Sequence, residues 1–586
     1  MSVRMNVLTD VRIKLSLLPD GEVIKDPQTM ANMAAEYYEK LFEAPVVIRP
    51  HPYVDAPPIK WDNDSDMIPR VTYPEILGVL RTRKKKQSLD IHGLSPFILD
   101  KIPHNYWHLL VQLYNYSFMN SVIPKKFKEV RMVLLAKKDT ICAPDQTRPI
   151  SLLDSFLKVQ ERLFLNRFLQ VLRDRGILPD NQSGFRAGFR LQTRVLLLIE
   201  QISSYMSNSS PVATIFVDFK SAFDQLWFEG CLGKLGRLGI PQSYVNWIRE
   251  WLNDRRASIE IQGKRSKWFP IHRGGPQGSS FTPTLFITYH SDMADFIPAA
   301  MSFFFADDLA AVLAGQISTS FTNQCVDLER RLQTFLEQLE FYAVLAVQPI
   351  NYVKTQALFS ARAVSYPNPM PQLNCGDHSL EWVSAFKYLG YWLTLKLGWG
   401  NMIGKTRLKT RQRTALVNSF RSSGTSSTHL RRVLFSTFVL PHFTWLFSLY
   451  PLFTDVQQAE LDHQYFTLLK RLYRCTSWDD LIFSSTYKEK ALSDLCLQYW
   501  ERYLKALSRT KDGFLLLEQA TLNTHRTDWL ENNQRVGCMH RSKRFVPHVD
   551  VLGQVMWWMA KHGPSDSVVL PDENDSLCFL LFPETF

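Results

Sequence analysis

Two short apolar runs that each end on aspartate constrain this chain more than any other feature of it. Pro211 to Asp218 (PVATIFVD) is rich in β-branched residues and reads as a buried strand closed by Asp218. Met301 to Phe305 reads as a second strand, and Leu309 to Leu313 can pair with it as a hairpin across Asp307 and Asp308. Adjacent carboxylates in such apolar sequence are costly unless a cation offsets their repulsion. Hard divalent cations with oxygen ligands meet that need, and Mg²⁺ keeps positions open for phosphate and water. Two such ions roughly 4 Å apart can activate an attacking hydroxyl and stabilise a leaving pyrophosphate. A lone Asp-Asp pair is ordinarily a solvated turn. Here a second strand-end aspartate, a Gly/Pro loop at 274–278 and a basic chain argue for the site.

The rest of the chain supplies a mixed framework. Helices are expected from Pro27 to Phe42, from Tyr73 to Lys86, from Ser221 to Gly239 (carrying Asp224), from Gln242 to Asn253, and after the Gly/Pro loop through Met293. Ser258 to Gln262 alternates as a strand does. The stretch APVVIRPHPYVDAPP reads as an extended connector, and beyond Thr394 the pattern is mainly helical. This predicts an α+β fold, a sheet carrying helices on one face, with several subdomains in 586 residues. Val433 to Phe453 carries no formal charge and is nearly long enough to span a bilayer. Pro441 within it favours a buried, interrupted helix, so no membrane partner is expected.

Charge narrows the partners. Lys and Arg number 68 against 56 Asp and Glu, a net charge of +12, which suits nucleic acid or an anionic surface. The eight cysteines are scattered without a CxxC pair, and no secretory signal is visible, so a reduced intracellular protein, nuclear or cytoplasmic, is expected. Cys538 and His540 lack a second pair and read as ordinary residues.

FADD at 305–308, taken with FVDFKSAFD at 216–224, resembles the catalytic core of reverse transcriptases. GGPQGSSFTPTLF (274–286) is similar to the family's PQG motif, with Gly275 in place of the commoner aliphatic residue and Thr282 where Ser is usual. RPISLLDSFLKVQERLFLNRF (148–168) and QSGFR (182–186) resemble the non-LTR (LINE-type) retrotransposon enzymes in particular. KTQALF (354–359) and FKYLGYWL (386–393) resemble the motifs that follow the catalytic hairpin. Each motif alone is weak. Seven in the family's order, from about Ser88 to Tyr473, are specific.

The resemblance implies a right-hand polymerase with an antiparallel palm sheet: an N-terminal extension and connector (1–87), fingers and palm (88–395, the palm from about 210), a helical thumb (396–475) and a helical C-terminal region of unknown role (476–586). It implies an RNA-directed DNA polymerase that takes an RNA template, a DNA primer and dNTPs, with two Mg²⁺ ions and Mn²⁺ as a substitute. Asp218 and Asp307 would ligate the metals, Asp308 would sit beside the primer terminus, and the backbone carbonyl of Phe219 would complete one metal shell. Phe223 would lie beneath the incoming sugar and exclude a 2′-hydroxyl. Gln277 and Gly278 would border the nascent base pair, glycine permitting close approach. Lys137 and Arg148 would hold the triphosphate, and Lys354 would protonate the leaving pyrophosphate. GGPQGSS is no ATP-binding P-loop, because the lysine that pattern needs is missing.

Three basic runs remain: RTRKKK (81–86), KTRLKTRQR (405–413) and KRLYR (470–474). Lys405, Lys409 and Arg413 share a helical face that can track a template–primer backbone. RTRKKK reads equally as a nuclear localisation signal or a template contact. No protein partner is inferable. Complete non-LTR elements usually carry an endonuclease, for which about ninety residues before the resemblance are too few, and no zinc knuckle stands after Thr476, so target cleavage is not credited to this chain. The alternatives are a non-catalytic nucleic-acid-binding remnant of such an element and an intron-encoded maturase.

Overall fold

The computed structural model describes residues 26–82, 89–137, 143–316, 320–361, 367–422, 428–473, 489–507, 554–555 and 558–559. Cys142, Cys475, Cys538, His540 and Cys578, residues 83–86 of RTRKKK and Arg474 fall outside them. Two compact units interleave along the chain. One comprises Met1–Phe185, Phe219–Phe296 and Leu339–Ile350, and the other Arg186–Asp218, Ile297–Gln338 and Asn351–Phe586.

Through the core of the chain the strands are β1 (Glu129–Ala136), β2 (Thr147–Leu152), β3 (Val212–Val217), β4 (Arg255–Ile261), β5 (Lys264–Arg265) and β6 (Phe269–Ile271). They continue as β7 (Met301–Phe305), β8 (Asp308–Ala314), β9 (Gln356–Ser360), β10 (Asn374–Cys375), β11 (His378–Ser379), β12 (Glu381–Trp382), β13 (Ala385–Tyr388) and β14 (Tyr391–Thr394).

The first unit is built on a sheet ordered β2-β1-β4-β5, with β6 also on β4. β1 and β2 are antiparallel, Leu135 lying opposite Arg148, whereas β1 and β4 run parallel. Beside this sheet the helix Ser155–Asp174 starts at Asp154, whose carboxylate accepts from the N–H groups of Phe156 and Leu157 and so satisfies two of the helix's orphan donors. Its inward face supplies Phe164, stacked on Trp247 at 3.9 Å between ring centroids and met edge-on by Phe281 at 5.1 Å. Phe281 is fully buried at the end of the Gly/Pro loop, so this aromatic cluster anchors the loop to the core. A second anchor is polar. Buried Glu161 accepts from the indole of Trp251 (3.0 Å) and from the Ser280 N–H (3.1 Å).

The second unit holds the sheet β12-β9-β3-β8-β7. Its centre is β3, buried at every residue as a strand covered on both faces must be. The pairs β3–β8, β3–β9 and β7–β8 are antiparallel as expected, but the edge pair β12–β9 is parallel, so the sheet is mixed. Across one face Phe386 of β13 stacks on Phe216 at 4.1 Å, and the Tyr388 hydroxyl donates to the Phe303 carbonyl at 3.0 Å. Beyond Thr394 the described residues are helical, with Gly400–Ser422, Thr428–Phe438, Asp455–Tyr473 and Leu492–Leu507 the longest segments.

Two local expectations are corrected. No single helix covers Ser221–Gly239: a short 3₁₀ turn, Ala222–Gln225, precedes the helix Phe228–Arg237, and Leu226 and Trp227 between them are extended and buried. The helix after the Gly/Pro loop ends at Tyr289, with a separate turn Met293–Phe296. The apolar stretch 433–453 is interrupted near Pro441 as expected, falling into Thr428–Phe438, Leu440–Thr444 and two 3₁₀ turns, with Pro441 opening the second of these segments. Among the described residues no helix is long and apolar enough to cross a membrane.

Candidate active site

The carboxylates come together because of strand register. Val217 lies opposite Leu309 and Phe305 opposite Asp308, so Asp218, one residue past β3, reaches the same sheet end as the β7–β8 turn. Ala306 in that turn takes φ 62, the left-handed conformation that a tight reversal demands. Asp307 occupies the turn and Asp308 opens β8. Asp308 is exposed at the strand end, yet desolvation, with the neighbouring charges of Asp307 and Asp218, pushes its carboxyl up to about 7.

Asp218 is held from three neighbouring side chains. Asn351 Nδ2 donates to its Oδ2 at 2.7 Å, Lys354 Nζ lies 3.4 Å from the same oxygen, and its own N–H donates to Thr355 Oγ1 at 3.3 Å. The Asn351 N–H in turn donates to the Asp218 carbonyl at 2.8 Å, tying the two segments together at the backbone. Lys354 thus stands at the carboxylates with its ammonium mostly exposed. Asn351 and Thr355 carry no signal in the sequence, since they meet Asp218 across 133 and 137 residues.

Among the described residues no three His, Cys, Asp or Glu side chains are drawn up as a ready-made metal group. The donor set nevertheless fits a hard divalent cation. It offers carboxylate oxygens without sulfur or imidazole, and their mutual repulsion is what a cation relieves.

Phe219, Phe223, Gln277, Gly278, Lys137 and Arg148 lie in the first unit. Phe219 is buried and bridges to Ile350, while the Lys220 N–H donates to Pro349 O at 2.8 Å. Phe223 is half-buried, its ring 4.6 Å from that of Phe286 and edge-on to Phe185 at 6.0 Å. The Gly/Pro loop is laced to the same turn: Gly274 N–H donates to Leu226 O (2.8 Å) and Gly275 N–H to Phe223 O (2.9 Å). The Gln277 carbonyl accepts from Ser151 N–H of β2 at 2.7 Å, and Gly278 follows at φ 147. A cleft of about 590 Å³ opens there, lined by Ser151, Lys158, Arg162, Gly278 and Ser280 among others. Lys137 and Arg148 stand exposed at the β1–β2 end, where Lys137 Nζ donates to Asp145 O at 2.8 Å.

Asp224 is the surprise. It lies buried in the 3₁₀ turn, and Gln277 Nε2 donates to both its oxygens, at 2.8 and 2.9 Å. Burial pushes its carboxyl up to about 7, against the opposing pull of Gln277 and Lys137.

The basic face of Gly400–Ser422 is as expected. Lys405, Lys409 and Arg413 are exposed, while Thr406, Thr410 and Thr414 face inward. Gln464 Nε2 on the helix Asp455–Tyr473 donates to Thr410 Oγ1 at 2.5 Å and holds that inner face in place.

Over residues 135–393 the chain matches the family described as reverse transcriptase (RNA-dependent DNA polymerase). It is 27% identical over 406 residues to the "Probable RNA-directed DNA polymerase from transposon BS" of Drosophila melanogaster, covering 67% of this chain and 44% of that protein. It is 28% identical over 354 residues to the "RNA-directed DNA polymerase from mobile element jockey" of the same fly, covering 59% of this chain and 37% of that one. A further relative is the "Transposon TX1 uncharacterized 149 kDa protein" of Xenopus laevis, 22% identical over 407 residues. The chain therefore spans less than half the length of the curated relatives it matches first.

Proposed function

We propose that this protein is an active RNA-directed DNA polymerase of non-LTR retrotransposon origin, adding dNTPs to a primer 3′-hydroxyl on an RNA template. The observation that carries this reading is the set of Asp218, Asp307 and Asp308 at one sheet end, where the carboxyl of Asp308 feels the charges of the other two. In right-hand terms the fingers run to about 210, the palm through about 395 and the thumb to about 475.

Asp218 and Asp307, with the Phe219 carbonyl, would hold two divalent cations, Mg²⁺ or Mn²⁺, and Asp308 would stand beside the primer terminus. When bound, these ions neutralise the triphosphate and activate the attacking hydroxyl. The chain's own residues position the reactants. Asn351 fixes the Asp218 carboxylate, and Lys137 and Arg148 engage the phosphates. Lys354, close to Asp218, supplies a proton to the departing pyrophosphate. The Phe223 ring, backed by Phe286, closes the space a 2′-hydroxyl needs. Lys405, Lys409 and Arg413 follow the template–primer backbone. The work is done within an intracellular compartment, nuclear or cytoplasmic.

The test is primer extension on poly(rA)/oligo(dT) with dTTP and Mg²⁺, comparing wild type with Asp307→Asn. Extension by wild type, with a loss of about a thousandfold or more in the variant at equal template–primer binding, is the expected outcome. Equal activity in both would remove the metal assignment. If neither extends while both bind the duplex, the protein is a binding remnant.

A further inference from the structure

We propose that Asp224 is a positioning residue that fixes which end of the Gln277 amide meets the incoming nucleotide, so that Gln277 offers its carbonyl oxygen as an acceptor. This rests on the polymerase reading above and adds a residue and a direction to it. A glutamine amide can turn either its NH₂ or its oxygen toward a ligand, and the two ends have nearly the same shape. Gln277 has no such freedom. Its Nε2 donates to Asp224 Oδ1 at 2.8 Å and Oδ2 at 2.9 Å. Flipping the amide would press Oε1 against two carboxylate oxygens, a contact between acceptors only.

The clamp is rigid at both ends. Asp224 is 5% exposed, and its N–H donates to Ser221 O at 2.8 Å. Gln277 is held at its own carbonyl by Ser151, and its loop by the two bonds from Gly274 and Gly275. A methyl at Gly274 would come within 2.7 Å of the Asp224 carbonyl, so the loop and the turn are packed backbone to backbone. Half-buried Gln277 remains open to a ligand. An acceptor so fixed selects a donor on the nucleotide, either a sugar hydroxyl or a base amino group. Lys137 faces Asp224 from the end of β1, and Tyr37 and Tyr38 face it from the helix Pro27–Leu41. The acceptor-only character of Asp224 belongs to its ionised form, and burial lifts its carboxyl to about 7.

The experiment measures the affinity of the full chain for the complementary dNTP at pH 8, on a template–primer whose primer ends in a dideoxynucleotide so that no chemistry follows. Wild type, Asp224→Asn, Gln277→Ala and the double variant are compared. Asp224→Asn, whose own amide accepts either orientation of Gln277, leaves about half of the molecules in the competent orientation and should weaken dNTP binding by about twofold. The double variant should bind no more weakly than Gln277→Ala alone, because Asp224 acts only through Gln277. Additive losses, or wild-type affinity in Asp224→Asn, would overturn the proposal.

A pH series keeps the idea testable should Asp224→Asn fail to fold. The ratio of wild-type to Gln277→Ala affinity should fall toward one as pH drops from 8 to 6, and a constant ratio would overturn it. With a dideoxynucleoside triphosphate as the probe, loss of the Asp224 effect names the sugar hydroxyl as the donor and its retention names a base amino group; either supports the clamp. Extension from an unblocked primer is scored separately. Nucleotide binding without extension would remove the polymerase reading and leave the clamp to be judged on affinity. No nucleotide-dependent complex in wild type would overturn both.

Discussion

Replacing Gly278 by alanine probes the join between the Gly/Pro loop and β2, and the structure supplies the size of the effect. A Cβ at Gly278 would lie 2.3 Å from the Ser151 carbonyl oxygen, where 3.0 Å is the closest that real contacts allow. The offending atom is backbone in a paired strand, so loop and strand must part by at least 3.0 − 2.3 = 0.7 Å. Parting them strains the hydrogen bond from Ser151 N–H to Gln277 O, now 2.7 Å, which is worth about 0.5–1.5 kcal/mol. Gly278 also sits at φ 147, a conformation that costs a residue with a side chain about 1–3 kcal/mol. Together the local penalty is about 1.5–4.5 kcal/mol, or roughly 10- to 1,600-fold in the balance between seated and unseated loop.

The direct assay is hydrogen exchange of the Ser151 amide, read by mass spectrometry on peptides covering 147–152. Protection there should fall by at least tenfold in Gly278→Ala, with weaker dNTP binding alongside. Gly236→Ala is the control. Its Cβ meets nothing within 4 Å on the helix Phe228–Arg237, so it should leave Ser151 exchange unchanged and stabilise the helix by up to about 1 kcal/mol. Wild-type exchange at Ser151 in Gly278→Ala would refute the reasoning.

Two further outcomes follow from the second unit. Changing Lys405, Lys409 and Arg413 together to alanine should weaken template–primer binding evenly across sequences and lower the slope of log affinity against log salt by about 2–3, as filter binding at several ionic strengths would read; an unchanged slope would remove this face from the interface. Asp462, to which the Tyr450 hydroxyl donates at 2.7 Å, has its carboxyl raised to about 6 by burial, with Asp494 adding to the rise. The folded protein therefore holds a proton that the unfolded chain releases near pH 4. That contribution to stability is complete below about pH 4 and is lost as pH rises through 6. The melting temperature of Asp462→Asn relative to wild type should accordingly climb between pH 4 and 7 and then level. A difference that stays constant with pH would show that Asp462 does not titrate in this way.

Wherever the information was local, the sequence by itself determined the site. An apolar β-branched run ending on Asp218, a second run turning at Asp307 and Asp308, and glycines with proline ahead of Gln277 are patterns of adjacent residues. The strand register that resulted brings the three aspartates to one sheet end, as the hairpin reading required. The inward threonines of Gly400–Ser422 likewise leave Lys405, Lys409 and Arg413 outward through helical period alone.

Tertiary structure decided what depended on distant partners. Ser221–Gly239 has the composition of a helix, yet the chain breaks at Leu226 and Trp227, where both side chains are buried and the Leu226 carbonyl takes the N–H of Gly274. That break puts Asp224 inside the protein against Gln277, 53 residues away, instead of on a helix surface. The parallel edge strand β12, and the pairing of Asn351 with Asp218, arise in the same way. Local periodicity reports which face of a segment is apolar. It carries nothing about which remote donor will satisfy a buried carboxylate, because that partner is chosen only when packing brings the two segments together.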